Sequence, residues 1–431
     1  MIRKEYPQLD ETVFWDKLEN GLTVAVVPKQ GFTKKLAYLV TEFGSIHTHF
    51  TLDGRKVEAP AGVAHIQEHK MFDLPGRDVS AEFAALGAYP NAFTSYDLTA
   101  YYFSCTEHFE SCLKLLLEFV STPYFSDESV EKEQGIIGQE IGMNEDSPDT
   151  QVFERLMDAM YRTHPVRQPI LGTQQTLSQI TPQVLYDCHK AFYAPRNMML
   201  CVVGDVDAEE VSRIAREVLP RELGPEVSRQ GAWQEEMTCP EAVTVCHMEV
   251  AMPTFQLGFK CEPLDSGEEA IRREAVGDLA AEALFGESSA LYLRLYEQGL
   301  IDSSFGGGFE TIDGMALLTC SGDSDDPEAV RNAILEQAQT LVRSGIGQED
   351  FARMQRSALG RRIRGLDSFD STCFRLCAYY FSDFDYFRFP AVYRDIRPED
   401  LVEFLRQVVT PSRCSLSIIL PIEQEVSYES Q

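Results

Sequence analysis

The chain has 431 residues, of which 44% are hydrophobic and 25% are charged. A chain of this length exceeds the roughly 250–300 residues at which one hydrophobic core stops growing, so we expect at least two domains. Its 68 acidic residues outnumber the 38 basic ones and give a net charge of -30. Such a charge repels phosphate groups, which excludes nucleic acid as a partner and disfavours an anionic membrane surface.

The amino-terminal segment and the cysteines both indicate a cytoplasmic protein. The first residues, MIRKEYPQLDETVF, lack the apolar core of a signal peptide, and no run of about 18 apolar residues predicts a membrane span. The 11 cysteines are an odd number scattered along a long chain. That pattern is unlike the disulfide framework of a small secreted domain, so we expect reduced cysteines. Because no membrane span is predicted, we expect no membrane partner.

Strand and helix patterns follow one another in a similar order in the two halves. Short segments that alternate or run apolar predict strands in the first half at LTVAVVP, KLAYLVTEF, TAYYFSC and MMLCVVGDV. Helical patterns lie between or after them at HFESCLKLLLEFV, DESVEKEQGIIGQEIGM and DAEEVSRIAREVL. The second half shows comparable segments at FQLGFKCEP, MALLTCS and DPEAVRNAILEQAQTLV.

One segment of the first half can be laid without gaps on the second half. Residues 130–153 fall on 351–374 at an offset of 221, which pairs Gln134 with Gln355 and Ser147 with Ser368. Chance could produce so short a match, but an offset of about half the chain favours a duplication. We therefore predict an α+β fold of two tandem homologous domains, each a mainly antiparallel sheet with helices packed on one face.

The irregular segment 221–240 contains Gly, Pro and polar residues without a clear period, so we predict that it is a linker. It would separate a domain at 1–220 from a homologous domain at 241–431. The candidate catalytic and metal-binding residues lie mainly in the first of these domains.

The strongest indication of a metal site comes from two histidines. His65, Glu68 and His69 form the pattern His-x-x-Glu-His. If this run is helical, the two histidines lie on one face and can bind one ion, with Glu68 beside them. Lone histidines on an apolar face are usually core residues, but two at helical spacing with a carboxylate between them favour a metal site. Zinc would need a third protein ligand and an open fourth position for hydrolysis.

The candidate for the third ligand lies in the acidic segment EKEQGIIGQEI. Glu133 and Glu140 are seven residues apart and would share one helix face, so one could bind the metal and the other support a histidine from behind. Their counterparts in the second half are Met354 and Arg361, so the second copy lacks both acids. The alternative interpretation is a solvated acidic face.

The order His-x-x-Glu-His is that of the inverzincins, the reverse of the commoner zinc peptidase motif. Over nearly its full length the sequence resembles the pitrilysin superfamily, and it is most similar to the small bacterial processing peptidases. The resemblance rests on GVAHIQEHKMF, NAFTSYDLTAYYF, EKEQGIIGQEI and the duplication. It implies a bacterial, cytoplasmic zinc metalloendopeptidase with one Zn²⁺ per chain. His65, His69 and Glu140 would be the ligands, Glu68 the base and Glu133 the supporting acid.

The resemblance also implies how a substrate binds. Asn91, Ala92 and Phe93 match the edge strand of the family, to which an extended peptide adds as a further strand with its scissile carbonyl at the metal. The family further implies a closing chamber that admits unfolded or leader-type peptides. From the residues alone, an ordinary strand with an Asn-initiated turn is the alternative.

One position departs from the family pattern. Self-sufficient members carry an Arg and, seven residues later, a Tyr in the second half, and these help to stabilise the transition state. Here Arg294 is followed by Ile301 at that spacing, while Tyr296 stands at the wrong distance. We therefore expect a dimer, preferably with a related subunit that supplies the Arg and Tyr. A homodimer with differently organised catalysis is the alternative.

The rival function is a non-catalytic peptide-binding or scaffold subunit of a processing-peptidase-like complex. Relatives of that kind have typically lost the metal ligands, whereas this sequence keeps the residues that the motif requires. Metal content and chelator-sensitive cleavage would separate the two functions.

Overall fold

The structure is a computed structural model that describes residues 1–229, 233–264, 266–312 and 314–422. Residues 230–232 of the predicted linker lie outside the described residues. No helix in the described ranges combines the length and the apolar character that crossing a bilayer requires.

The first half contains one large sheet, a small sheet, a two-stranded ribbon and the helices around them. Its elements in chain order are β1 (Ile2–Tyr6), β2 (Glu11–Lys17), β3 (Thr23–Pro28), β4 (Lys35–Thr41), β5 (His49–Leu52), β6 (Arg55–Glu58), α1 (Val63–Met71), β7 (Asp73–Leu74), β8 (Arg77–Asp78), α2 (Val79–Ala85), β9 (Tyr89–Thr94), β10 (Thr99–Cys105), α3 (Phe109–Ser121), α4 (Asp127–Glu145), α5 (Pro148–Met160), α6 (Gln174–Leu177), α7 (Pro182–Phe192), β11 (Met198–Gly204) and α8 (Ala208–Val218).

The second half contains the other large sheet. A short strand, β12, lies within the predicted linker and pairs with β5 of the first half. The elements from that point are β12 (Val227–Arg229), β13 (Val243–Met248), β14 (Thr254–Lys260), α9 (Glu268–Phe285), α10 (Ala290–Glu297), β15 (Gly306–Ile312), β16 (Met315–Asp323), α11 (Pro327–Ser344), α12 (Gln348–Gly365), α13 (Phe369–Phe381), α14 (Phe389–Arg394), α15 (Pro398–Val408) and β17 (Cys414–Pro421).

The two large sheets share the arrangement of five strands. Their orders are β1-β2-β3-β11-β4-β10-β9 and β13-β17-β14-β16-β15. In each, one parallel pair, β3 with β11 or β13 with β17, is followed by three antiparallel pairs. The prediction of two tandem homologous domains with mainly antiparallel sheets and packed helices is therefore confirmed. The boundaries 1–220, 221–240 and 241–431 stay a prediction.

The two halves exchange one helix each. α5 of the first half packs on β14 and β17, and α13 of the second half packs on β11 and β4. On one side, Met160 of α5 joins Leu317 in a buried cluster, and a Cβ at Gly258 would come within 2.5 Å of the Met160 sulfur. On the other side, the Cys373 thiol lies 3.8 Å from the Cys201 carbonyl. Each sheet thus has its own helices on one face and a helix from the other half on its opposite face.

The sequence repeat coincides with these exchanged helices. α5 and α13 begin at equivalent positions because Ser147 and Ser368 each accept a hydrogen bond from the backbone N–H three residues later. The side-chain amides of Gln134 and Gln355 each donate to backbone carbonyls that lie further along the chain. The four residues keep the same local roles in both copies, which explains why the match is visible in the sequence.

A single carboxylate ties the segment between the halves to both of them. Glu235 accepts hydrogen bonds from the backbone N–H groups of Arg162, at 3.0 Å, of Thr163, and of His164, at 2.7 Å. Its Oε2 also lies 3.4 Å from the Nζ of Lys260, whose side chain is only 1% exposed. Burial raises the pKa of Glu235, but the three N–H groups outweigh burial and lower the pKa to about 2.

Replacing this carboxylate should destabilise the fold in a pH-dependent way. Glu235→Gln removes the charge that pairs with Lys260, so we expect the free energy of unfolding at pH 7 to fall by about 2–4 kcal/mol. The gap from wild type should narrow as the pH falls from about 4.5 towards 2, because the Glu235 pKa is lower in the folded chain than in the unfolded one. Urea denaturation over a pH series measures this. Glu236→Gln changes the exposed neighbour and is the control; equal losses in both variants would contradict the assignment.

Candidate metal centre

The helix that carries both histidines begins at a glycine. Gly62, the N-cap of α1, has φ 93°, a left-handed conformation that other residues adopt at a cost. A Cβ there would lie 2.4 Å from the Leu171 carbonyl oxygen, and a Cβ at Gly172 would lie 2.4 Å from the Ala61 carbonyl oxygen. These two glycines allow the backbone before α1 to pack directly against residues 171–172, which fixes where the helix starts.

α4 lies against α1 and brings an acid to the two imidazoles. One carboxylate oxygen of Glu140 lies 3.8 Å from Nε2 of His65, and the other lies 4.0 Å from Nε2 of His69. The centroids of the two imidazole rings are 4.6 Å apart, because residues i and i+4 of a helix lie on the same face. One donor atom from each of the three residues lies within 4.8 Å of the other two. The structure therefore brings together the three residues that the sequence singled out.

Glu133 contacts the other side of the second histidine. Its Oε1 lies 3.0 Å from Nδ1 of His69, and since a carboxylate only accepts, Nδ1–H is the donor. This tautomer leaves Nε2 free to face Glu140 with its lone pair, which is the arrangement that supports a metal ligand. The hydrogen bond that His69 donates to Glu133 raises the pKa of His69. Burial lowers the pKa of His65 to about 4, so His65 is neutral at pH 7 and able to bind a metal.

Glu68 is enclosed between α1 and β9. Its side chain is largely buried, and its Oε2 accepts a hydrogen bond of 2.6 Å from the Thr94 hydroxyl. Burial raises the pKa of Glu68, while the Thr94 hydrogen bond lowers it. A largely buried carboxylate beside two imidazoles, with a pKa raised by burial, is suited to act as a general base.

β9 is the edge strand next to this group. It pairs with β10 on one side and forms the end of the seven-stranded sheet within the described residues. Asn91, Ala92 and Phe93 lie in β9 and line the same cavity, of 710 Å³, as His65, Glu68, His69 and Glu140. The cavity extends towards α5, whose contributions to its wall are Asp149, Thr150, Phe153 and Glu154.

Several residues of this cavity were not predicted from the sequence. Thr94, the last residue of β9, contacts Glu68, whereas the family resemblance points only to Asn91, Ala92 and Phe93 of this strand. The signal that could have found Thr94 is the strand period of two, because residues two apart in a strand point to the same face. No local signal marks the residues of α5, since they reach the cavity only through the packing of the helix.

The three donor atoms fit a small divalent cation. Tetrahedral zinc with ligands at about 2.0–2.1 Å would place the donor atoms roughly 3.3 Å from one another. The two oxygens of Glu140 lie 3.8 Å and 4.0 Å from the imidazoles, and the three donor atoms lie within 4.8 Å of one another. The donor atoms would therefore have to approach by roughly 0.5–1.5 Å, which side-chain rotation can provide. Two imidazoles and one carboxylate are also the donor set of catalytic zinc sites that keep a fourth position open.

Arg294, Tyr296 and Ile301, where the sequence departs from the family pattern, lie away from the cavity. Ile301 is buried in the core of the second half, and Tyr296 is exposed and stacks on Tyr292 with ring centroids 5.9 Å apart. Arg294 directs its guanidinium to the Ala333 carbonyl at 3.5 Å. None of these three residues is among the described residues that line the cavity.

The second half has replaced the acids of α4 with residues of another kind. Arg361, the counterpart of Glu140, forms an ion pair of 2.9 Å with Glu282 of α9. Met354, the counterpart of Glu133, is buried in the core. Within the described part of the chain, His65, His69 and Glu140 are the group of His, Cys, Asp and Glu side chains arranged to hold a metal ion.

Adding a methyl group at the start of α1 should disturb both the fold and the metal centre. Gly62→Ala would meet the Leu171 carbonyl and strain a left-handed backbone, so we expect stability to fall by about 2–4 kcal/mol and zinc affinity to fall about tenfold or more. Gly54→Ala is the matched control, because Gly54 has φ +79° but a Cβ there meets nothing within 4 Å. Zinc titration and thermal denaturation compare the variants; equal zinc affinities for both would contradict the role of this contact.

Comparisons with known proteins agree with this geometry. A sequence model described as Insulinase (Peptidase family M16) matches residues 54–174, and one described as Peptidase M16 inactive domain matches residues 179–358. A Bacillus subtilis protein, named uncharacterized zinc protease YmfH, is 36% identical over 425 residues, which cover 97% of this chain and 98% of YmfH.

Solved structures show the same architecture. An M16-like peptidase of Alicyclobacillus acidocaldarius matches with a TM-score of 0.92 and 31% identity over 98% of this chain and 100% of that one. A protease of Helicobacter pylori shares the fold, with a TM-score of 0.81 and 20% identity over 95% of this chain and 99% of that one. The resemblance to the pitrilysin superfamily is thereby confirmed: the chain belongs to the M16, or insulinase, peptidase family.

Proposed function

We propose that this protein is a zinc-dependent metalloendopeptidase that cleaves unfolded or leader-type peptides. The observation that carries the proposal is the convergence of His65, His69 and Glu140 within 4.8 Å, with the carboxylate of Glu68 buried beside them. Relatives of the chain that bear the name zinc protease support the same class of activity.

Each residue of the centre has a defined chemical role. His65, His69 and Glu140 would hold one zinc ion per chain, and Glu133 orients His69. When bound, zinc lowers the pKa of a water ligand to about 7 and polarises a carbonyl. Glu68 takes the proton of the attacking water at Oε1, because Oε2 already accepts the Thr94 hydroxyl proton. The same carboxyl group then gives a proton to the leaving amine.

β9 would align the substrate. Its outer edge carries no strand among the described residues, so an extended peptide can add there by pairing with the backbone of Asn91, Ala92 and Phe93. Backbone pairing depends little on side chains, which suits an endopeptidase that accepts unfolded peptides of varied sequence. In a folded protein most backbone groups are already paired, so an unfolded peptide is the better substrate for such pairing.

We further propose that the active form is a cytoplasmic dimer with a closing chamber. The support is the core position of Ile301, because a buried isoleucine cannot donate a hydrogen bond to a developing oxyanion. A related subunit that carries the Arg and the Tyr would supply this donor. The same observation favours the rival function, a non-catalytic peptide-binding subunit, if no such partner exists.

Removing the base should abolish cleavage but leave the metal. For Glu68→Gln we expect one zinc per chain and a rate of peptide cleavage reduced by about 10²–10⁴-fold, because an amide cannot accept the proton. Glu140→Gln should instead lose the zinc. Glu131→Gln changes an exposed glutamate of α4 and is the control. Metal analysis with a fluorogenic peptide assay measures these effects, and a zinc-loaded Glu68→Gln variant that cleaves at the wild-type rate would contradict the mechanism.

The partner can be tested separately. We expect the chain to co-purify with a second chain of similar length that carries an Arg and, seven residues later, a Tyr, and we expect activity to rise when the two are mixed. Sedimentation with activity measured over a concentration series gives both the assembly and the rate. Full activity of the isolated chain as a monomer would refute the dimer, and a purified complex that holds no zinc and cleaves no peptide would favour the scaffold.

A further inference from the structure

Thr94 contacts the carboxylate of Glu68, the proposed base. Its Oγ1 lies 2.6 Å from Oε2 of Glu68. Among the described residues no other side chain or backbone group forms a hydrogen bond with the Glu68 carboxylate. The terminal torsion of a glutamate has a broad energy well, so a carboxylate without a partner would sample many orientations. The Thr94 hydroxyl therefore limits the orientation of this group.

The direction of the hydroxyl proton follows from its neighbours. The Glu68 carboxylate accepts only, so Thr94 must donate to it. Thr99 lies opposite Thr94 in the ladder between β9 and β10, with the two hydroxyl oxygens 3.3 Å apart. The Thr99 proton goes to the Phe43 carbonyl at 2.7 Å, so Thr99 does not compete as a donor for Glu68. Thr99 is buried and Thr94 is half-buried, and their neighbours leave the Thr94 hydroxyl one preferred orientation.

The alternation of side chains along β9 explains why Thr94 reaches α1. Ala92 packs with the core that contains α1, whereas Phe93 points to the opposite face and lies 5.9 Å from the ring of Phe374 on α13. Thr94 follows Ala92 by two residues and so faces α1, where Glu68 lies. The strand proposed to align the peptide therefore ends in the residue that holds the base.

We propose that Thr94 is a positioning residue, which holds the Glu68 carboxylate so that its Oε1 faces the attacking water and links the alignment of the substrate strand to that of the base. The inference rests on the proposed peptidase function. A displacement of the base by about 1 Å can lower a rate by as much as 100-fold, so loss of the hydroxyl should act on the chemical step. Peptide affinity should change little, because pairing with β9 uses backbone groups.

The test compares a substitution that replaces the hydroxyl with a methyl group and one that keeps the hydroxyl. In zinc-loaded protein we expect Thr94→Val to lower kcat about 10- to 100-fold, with KM within about threefold of wild type and one zinc per chain retained. Thr94→Ser keeps the hydroxyl and should retain kcat within about threefold. Thr311→Val makes the same change on β15, the counterpart of β9 in the second half, and should behave as wild type.

Three results would overturn the inference. They are a Thr94→Val enzyme with wild-type kcat, a loss in Thr94→Ser as large as in Thr94→Val, and a loss in Thr94→Val that follows the loss of zinc. A wild-type protein that binds zinc but cleaves no peptide, even together with its partner subunit, would refute the proposed function instead. In that case crystal structures decide the matter, because the Glu68 carboxylate should stay in place in Thr94→Ser and move in Thr94→Val; an unmoved carboxylate in Thr94→Val would refute the positioning role.

Discussion

The approach of α4 to α1 is the contact on which the centre depends. It places Glu140 in front of both imidazoles and Glu133 behind His69, so the two acids of one helix face hold one histidine from two sides. Three carboxylates, those of Glu68, Glu133 and Glu140, thus lie around only two imidazoles. Such an excess of negative charge in a partly buried place is unfavourable by itself, and a divalent cation would neutralise most of it.

One stretch of chain supports both sides of this contact. α4 continues through the Ser147 cap into α5, which packs on the sheet of the second half. The residues after α5 are held by Glu235, and the chain then reaches Gly172, which packs against the residues before α1. The position of α4 and the start of α1 are thus fixed by the same segment. This is the physical reason to expect that Glu235, although absent from the cavity lining, contributes to the rigidity of the centre.

The duplication separates residues that form the fold from residues that supply chemistry. Gln134 and Ser147 have counterparts with the same hydrogen-bonding roles, whereas Glu140 has become Arg361, which pairs with Glu282. The second half still contributes to the first, because α13 covers the face of the sheet that is opposite α1. Its Phe374 lies against Phe93, so the strand proposed for the substrate is supported from both halves.

The features that depend on local periodicity can be predicted from the sequence. The helical period places His65 and His69 on one face, and the repeat with its strand patterns predicts two similar α+β domains. The spacing of Glu133 and Glu140 leaves open which acid faces both imidazoles, and the assignment of Glu140 comes from the family resemblance. The contact of Thr94 with Glu68 and the exchange of α5 and α13 are visible in the folded structure alone. These contacts join residues that are 26 or more positions apart, as in the pair Thr94 and Glu68. Their distances are set by how helices and sheets pack on one another, and the spacing of residues along the chain carries no direct record of that packing.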